Sequence, residues 1–324
     1  MLRVSELVEV ARTLDDDGSS RYARQAARAW GGEHVRFVRS SANHVFVCGD
    51  GIVLRFRPHE PDAIECAERI AALTERLAEA GAPVADAVRS LDGRLVVSDG
   101  NGGYVAHALE LVHGRQLDAT TVTIEEARGW GRGVALFHQA ADRIEPAPVL
   151  PAWVDIVDEA ARSLEDDLRA IGGSIVRGLR DLPNNNGVTG IVHGDPELDN
   201  VVWRDGDPVF VDLDDAARSW FAADVCFALR DYAEPARSPD PGREPVSSFL
   251  AAYREARPLG EDELSWLPLF AAAHGVVTLA RVERALAEPS AEDWPPWAHA
   301  LRERLEAVAA GLRRALRAAA GGHS

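Results

Sequence analysis

The sequence predicts an α+β fold in which a small strand-rich first third precedes a larger, mostly helical remainder. Three observations carry this reading. Short β-branched runs bounded by turn residues crowd residues 33–58 and 84–112. Helical periodicity dominates from about residue 114 onward. One small polar β-insertion, around 190–215, interrupts those helices.

Residues 1–30 read as two short amphipathic helices split by DDDGSS. EHVRFVRS (33–40) and NHVFVCG (43–49) are strands around a Ser-Ser-Ala turn, and GIVLRFRP (51–58) follows Gly49-Asp50-Gly51. DAIECAERIAALTERLAEA (62–80) has helical spacing and meets Gly81, a natural C-cap. VADAVRS, a DGR turn, LVVSD and YVAHALELV are further strands. TIEEARGWGRGVALFHQAA (123–141) is a helix with Thr123 as N-cap and two glutamates in its first turn. Residues 153–180 are helical, and Asn184–Gly187 is a loop. IVHGD, VVWRDG and PVFVDLDD read as a strand edge and two strands, with a hairpin at Asp205-Gly206. The rest, about 217–320, is mostly helical, broken by EPARSPDPGREP (234–245) and ending at Gly321-Gly322.

Composition excludes several functions. The net charge of −17 argues against phosphate-backbone binding, which needs clustered cations, so no nucleic-acid partner is expected. Every one of the 35 basic residues is arginine, which rules out a GxxxxGK[ST] phosphate loop and lysine-based covalent chemistry. Cys48, Cys66 and Cys226 form no CxxC pair, so neither a disulfide framework nor a zinc site is indicated. The start, MLRVSELVEVARTLDDD, carries acids where a secretory leader needs a basic start and an apolar run. No window reaches the roughly 18 apolar residues of a membrane span. A cytoplasmic protein with no membrane partner is expected; the oligomeric state is open.

The chemistry concentrates at HGDPELDN (193–200) and DLDD (212–215). An Asp on a loop, an Asn five residues on and an Asp after the next hairpin form a recurring phosphoryl-transfer arrangement. Asp195 can take the proton of an attacking hydroxyl. Asn200 and Asp212 can offer Mg²⁺ the hard oxygens it prefers. His193 suits a brace for the loop better than a base. Upstream, Arg55 stands where a kinase's third strand offers lysine, and Glu68, or Glu65, is the acid to pair with it. The backbone around Leu109, Glu110 and Leu111 is a candidate for an adenine edge.

With these residues in place, the chain resembles the aminoglycoside phosphotransferase and choline-kinase-like superfamily of small-molecule kinases. The resemblance runs over roughly 34–310 and rests on LRFRP, AERIAALTERLAEAGAPV, ALELVHGR, GRGVALFHQAA, HGDPELDN, FVDLDDA and FAADVCFALRDY. It implies a bilobal protein-kinase-like fold, with residues 1–110 as a nucleotide-binding lobe that includes the helices of 1–30. Residues 111–324 would be the catalytic and substrate-binding lobe. It implies ATP or GTP with Mg²⁺, and phosphorylation of a small-molecule hydroxyl. Carried over by position, Asp195 is the catalytic base, Asn200 and Asp212 the magnesium ligands, Arg55 the nucleotide-phosphate contact and Asp224 a brace for the loop. The chain departs from the pattern in two places. Arginine replaces lysine at 55, and Ser40-Ser41-Ala42-Asn43 occupies the turn where a glycine-rich loop would stand.

The substrate is the least determined part, because one fold hosts many. Glu197, Asp199, Asp214, Asp215 and Asp231 are candidate linings for an amine, with solvation or pairing to Arg218 and Arg230 as the alternative. Trp203 and Trp220 either stack on a substrate or pack in a core. The leading expectation is an ATP- and Mg²⁺-dependent phosphotransferase acting on an aminoglycoside or another amine-bearing hydroxyl compound. Its rivals are a metabolic kinase for homoserine, a sugar or an amino alcohol, and a regulatory nucleotide-binding pseudokinase. A protein kinase is disfavoured because ADVCFALRDY follows the metal Asp almost at once, with no activation segment between.

Overall fold

The computed structural model describes residues 1–58, 62–99, 103–145, 149–185 and 187–321. The expected Asn184–Gly187 loop and the expected helix end at Gly321-Gly322 include Asn186 and Gly322, which lie outside the described residues. The chain divides into two compact units. One comprises Met1–Ala78, Ala85–Val112 and Arg284–Glu306; the other comprises Glu79–Val84, His113–Glu283 and Ala307–Ser324.

The first unit opens with helices α1 (Val4–Ala11) and α2 (Arg21–Ala27). Strands β1 (Val35–Ser40), β2 (His44–Cys48) and β3 (Ile52–Pro58) follow, then helix α3 (Ala63–Glu79). Short strands β4 (Ala87–Val88) and β5 (Val96–Ser98) precede β6 (Tyr104–Glu110). The strands form one antiparallel sheet in the order β1-β2-β3-β6-β4, with β5 also on β6. Alternation decides its two faces. Phe46, Leu54, Phe56, Ala106 and Ala108 point to one side and cluster with Ala23, Ala26, Ala27 and Trp30 at and after α2. Val105 points to the other and clusters with Ala63, Ala67 and Ala71 of α3. Small residues on α3 let it lie close to the sheet.

The second unit begins with α4 (Ile124–Ala141). Its predicted cap is present: Thr123 Oγ1 accepts from Glu126 N, and the Glu126 carboxylate accepts from Thr123 N at 2.8 Å. The helical stretch expected over 153–180 is two helices, α5 (Trp153–Ser163) and α6 (Asp166–Asp181). Leu164 turns extended and is buried, and the acids Asp166 and Asp167 open a new first turn, where the helix dipole favours negative charge. Strand β7 (Thr189–Val192) is followed by the hairpin β8 (Val201–Arg204) and β9 (Asp207–Phe210). Asp205 and Gly206 both have positive φ, 54° and 96°, as a tight two-residue turn between twisted strands requires.

The stretch from 217 is not helical from the outset. Ala217–Trp220 forms β10, antiparallel to β7, and was too short to leave an alternation signal. Helices α7 (Phe221–Ala228), α8 (Glu244–Ala256), α9 (Glu261–Ser265), α10 (Leu267–Ala285) and α11 (Pro296–Gly321) complete the chain. Helices α4 and α8 pack together through an edge-to-face pair, Trp130 on Phe249, with ring centroids 5.0 Å apart. The later half of α11 is tied down by Arg317, which reaches Asp167 and Glu165 at the start of α6 at 2.7 Å each. Among the described residues no helix is long and apolar enough to cross a membrane.

Candidate active site

The loop after β7 is held by a single buried carboxylate. Asp224, in the first turn of α7, is fully buried and accepts hydrogen bonds from His193 N and Gly194 N, each at 2.8 Å. It also meets His138 Nε2 at 2.9 Å, and His138 Nδ1 meets the Tyr253 hydroxyl at 2.8 Å. Burial, only partly opposed by Asp224, pushes the His138 imidazole below its ordinary range, so it stays neutral. A neutral ring in this place donates from Nε2 to the carboxylate and accepts at Nδ1 from the tyrosine. The buried carboxylate is thereby satisfied by three donors from two elements, the loop after β7 and α4.

Gly194 has no alternative residue. Its φ is +85°, and a Cβ built there would lie 2.0 Å from the Asp215 carbonyl oxygen. The loop can therefore press against the 212–215 turn only through glycine. His193 completes the brace. Its Nε2 donates to Val211 O at 3.1 Å, its Nδ1 accepts from Asp195 N at 3.3 Å, and the ring lies between Phe137 and Phe210.

Asp195 follows with its carboxylate in a dense polar setting. Asn200 Nδ2 donates to both Asp195 O and Asp195 Oδ2 at 3.0 Å. Amide geometry turns the Asn200 Oδ1 to the opposite side, as a free acceptor position for a cation. The hairpin then fixes the third residue: Val211 N donates to Asn200 O at 2.9 Å, which sets Asn200 opposite the residue preceding Asp212. Asp212 itself is left-handed, φ 69° and ψ 67°, a conformation that costs a non-glycine residue about 1 kcal/mol or more. The bend lets Leu213 turn into the core.

The expected amine-binding acids behave differently from one another. Arg230, just after α7, pairs with both Asp195 and Glu197. Arg281 of α10 grips Asp215 with two hydrogen bonds, at 2.7 and 2.5 Å. Glu197 and Asp215 therefore each serve an arginine, the alternative that the sequence left open beside a substrate lining. Of the two arginines named as alternatives, Arg230 is braced and Arg218 is exposed. Asp199 and Asp231 are exposed, and Gln116 Nε2 donates to the Asp199 carbonyl at 2.8 Å. Trp203 and Trp220 are both core residues; Trp220 Nε1 donates to Pro183 O at 2.7 Å.

Protonation equilibria follow this charge distribution. Burial raises Asp195, and Asp215 adds to the rise, while Arg230 opposes it. Burial likewise pushes Glu197 up to about 7 against the pull of Arg230. Asp215 ends below the usual carboxylate range, because Arg281 outweighs the cost of burial. Arg281 left no mark in the sequence because it acts over 66 residues, whereas Arg230 was named there as a possible partner of the acids.

In the strand-rich unit, Arg55 is buried on β3 opposite His107 of β6, on the sheet face that carries α3. Glu68 and Glu65 lie on the exposed side of α3. Leu109 is buried at the end of β6. In the stretch proposed to edge adenine, the N–H groups of Glu110 and Leu111 donate to Asp86 O and Gly51 O, at 2.8 and 2.9 Å. In the Ser40–Asn43 turn, Ser40 Oγ meets His44 Nδ1 at 2.8 Å and Ser41 N donates to Asn43 O, which makes it a self-bonded hairpin turn. Among the described residues no group of three or more His, Cys, Asp or Glu forms a metal cluster. Asn200 Oδ1 and the Asp212 carboxylate nevertheless fit a Mg²⁺ that takes its other ligands from phosphate and water.

The model of the phosphotransferase enzyme family matches residues 34–267. Amicoumacin kinase of Bacillus subtilis (strain 168) is 25% identical over 228 residues, which is 64% of this chain and 66% of that protein. Homoserine kinase of Neisseria meningitidis serogroup B is 29% identical over 203 residues, 60% of this chain and 64% of that one. The chain thus spans slightly less than two thirds of these relatives' lengths. Among solved structures, an amicoumacin kinase in complex with AMP-PNP, Ca²⁺ and Ami superposes with a TM-score of 0.71 at 20% identity, over 92% of this chain and 93% of that one. A microcompartment-associated aminopropanol kinase gives 0.64 at 20% identity, over 92% and 97%. The GDP complex of aminoglycoside 2'-phosphotransferase-IIIa gives 0.58 at 17% identity, over 88% and 98%. These superpositions establish the kinase-like fold, with its strand-rich and helical parts.

Proposed function

Since the chain belongs to the phosphotransferase enzyme family, we propose that it transfers the γ-phosphoryl group of ATP, or of GTP, to a hydroxyl of a small molecule. One observation carries this reading: Asn200 bonds Asp195 with its nitrogen while the hairpin aligns it with the strained Asp212. Those three groups suit a base and two metal ligands, on a loop that Asp224 and His193 hold rigid. Asp195 accepts the hydroxyl proton, the freed oxygen bonds to the γ-phosphorus, and the bond from that phosphorus to the bridging oxygen breaks to release the nucleoside diphosphate. Burial keeps the Asp195 pKa above the usual range, which brings a carboxylate closer to a working base. Mg²⁺, held by Asn200 and Asp212, would neutralise charge on the phosphates. In the strand-rich unit, buried Arg55 takes the phosphate-binding role, its guanidinium doing what lysine does elsewhere. Glu68 and the Leu109–Leu111 stretch keep supporting parts there, Leu109 as an apolar wall.

The acceptor is a hydroxyl compound with an amine. An amicoumacin kinase, a homoserine kinase and an aminopropanol kinase among the similar proteins support amine-bearing acceptors, antibiotic and metabolic alike. Three reduced cysteines suit a cytoplasmic setting. The test is nucleoside-triphosphate turnover with Mg²⁺ across amines, sugars and antibiotics. Asp195→Asn is expected to lose about 10²-fold or more of the turnover while retaining nucleotide binding. Nucleotide binding by the unaltered chain with no turnover on any acceptor would establish the regulatory pseudokinase instead.

A further inference from the structure

A cavity of about 630 Å³ opens in the helical unit beside Arg230. Its size lies within the range of roughly 300–1,000 Å³ that small-molecule sites occupy. Phe227 of α7, Ala271 and Gly275 of α10, and Val308 and Leu312 of α11 give it an apolar wall. The segment 233–237 forms the rim. That rim is held in an unusual conformation, since Ala236 has φ +58°, and it sits so close to α10 that a Cβ on Gly275 would lie 2.9 Å from the Ala236 Cβ. Strained backbone of this kind persists at ligand clamps.

Charge narrows what the cavity can take. Arg230 lines it, and the same guanidinium pairs with Asp195, which ties the cavity to the proposed base. Glu197 and Asp215, which do not line it, are occupied by Arg230 and Arg281. His274 on the wall, near Thr278 at 3.3 Å, is held down to about 3 by burial and the two arginines, so it adds no charge. At the rim, Glu234 and Arg237 are opposite in sign. Asp231 and Glu234 line it without an ion pair among the described residues, and Asp231, beside Arg230, lies deeper than the rim.

We propose that this cavity seats the acceptor, and that the acceptor is a hydroxyl compound with a largely apolar body and a single amine held at Asp231, in contrast to a polycationic sugar. The proposal rests on the phosphotransferase reading for the meaning of "acceptor" and on the cavity for its chemistry. A polycation would bring several charges to a wall whose two carboxylates, Asp231 and Glu234, are matched by two arginines, Arg230 and Arg237, and each unpaired amine would lose hydration without a partner. An apolar body gains from the alanine, leucine and phenylalanine surface.

The experiment is isothermal titration of the full chain with phenylalaninol, with 3-phenylpropan-1-ol, which lacks the amine, and with kanamycin. AMP-PNP with Mg²⁺ is titrated in parallel. Phenylalaninol is expected to bind about fivefold more tightly than 3-phenylpropan-1-ol, the value of one partly exposed ion pair. Asp231→Asn should erase that difference. Ala271→Trp and Thr278→Phe, which fill the cavity, should abolish binding of both, with melting curves confirming the fold of each variant. Kanamycin binding more tightly than either probe, neither probe binding at all, or unchanged phenylalaninol binding in a folded filling variant would each overturn the proposal. Failure of AMP-PNP to bind counts against the phosphotransferase reading alone and leaves the cavity result standing.

Discussion

Glu197→Gln should stabilise the ligand-free protein above neutral pH and leave it unchanged in acid. Glu197 shares the Arg230 guanidinium with Asp195, so two carboxylates lean on one cation. Burial lifts Glu197 from 4.5 to about 7, Arg230 pulls against that, and Asp195 and Asp231 add to it. Below pH 4.5 the residue is protonated in both folded and unfolded chains and costs nothing. Between 4.5 and about 7 the unfolded chain releases the proton while the folded chain keeps it, so stability is lost as pH rises. Above about 7 both states are ionised and the loss is complete. Each pH unit of that window is worth about 1.4 kcal/mol, which puts the full loss near 3 kcal/mol. Only 16% of the side chain is exposed, so solvent screening takes little from this value. Glutamine has nearly the same shape and no proton to release. Urea unfolding in Mg²⁺-free buffer from pH 4 to pH 8.5 measures the effect as variant minus wild type, which cancels the titrating groups that are not coupled to Glu197. The difference should grow from near zero to about 3 kcal/mol. Two parallel curves would refute the charge balance drawn around Arg230.

Two further predictions test the same loop. Gly194→Ala places a methyl 2.0 Å from a backbone carbonyl at a positive φ, where neither partner can yield cheaply; a loss of about 3 kcal/mol or more is expected in urea unfolding, with turnover falling in parallel. Arg230→Gln removes the cation that opposes the rise of Asp195; the acid limb of kcat/KM should move to higher pH, and a pH profile with the limb unmoved would exclude Arg230 as the group that sets the base.

The fold was readable wherever local chemistry decides structure. Thr123 with Glu126 announced a capped helix, and Asp205-Gly206 announced a hairpin, because each signal lies within a few residues. The break at Leu164 was hidden because helical spacing continues on both sides of it, and only the burial of Leu164 in an extended conformation separates the two helices. Strand β10 was hidden because four residues pair with β7 across 25 or more positions of chain, and pairing at that distance leaves no periodic trace.

The candidate site divides along the same line. The interval from Asp195 to Asn200 and the hairpin before Asp212 are local, so the base and metal positions stand in the sequence. The state of those groups is not local. Arg230 reaches back 35 residues to Asp195, and Arg281 reaches back 66 to Asp215. Counting acids near the loop therefore left an amine lining and pairing with arginine both open, while the folded chain pairs two of those acids with arginines from distant segments. Substrate charge is a property of the residue pairs that tertiary structure selects; Arg281 grips Asp215 through both of its oxygens and Arg230 divides itself between Asp195 and Glu197, which makes both arginines difficult for an incoming amine to displace. An acceptor has to find its place among what those pairs leave over, which here is an apolar wall, the carboxylate of Asp231 and the rim carboxylate of Glu234.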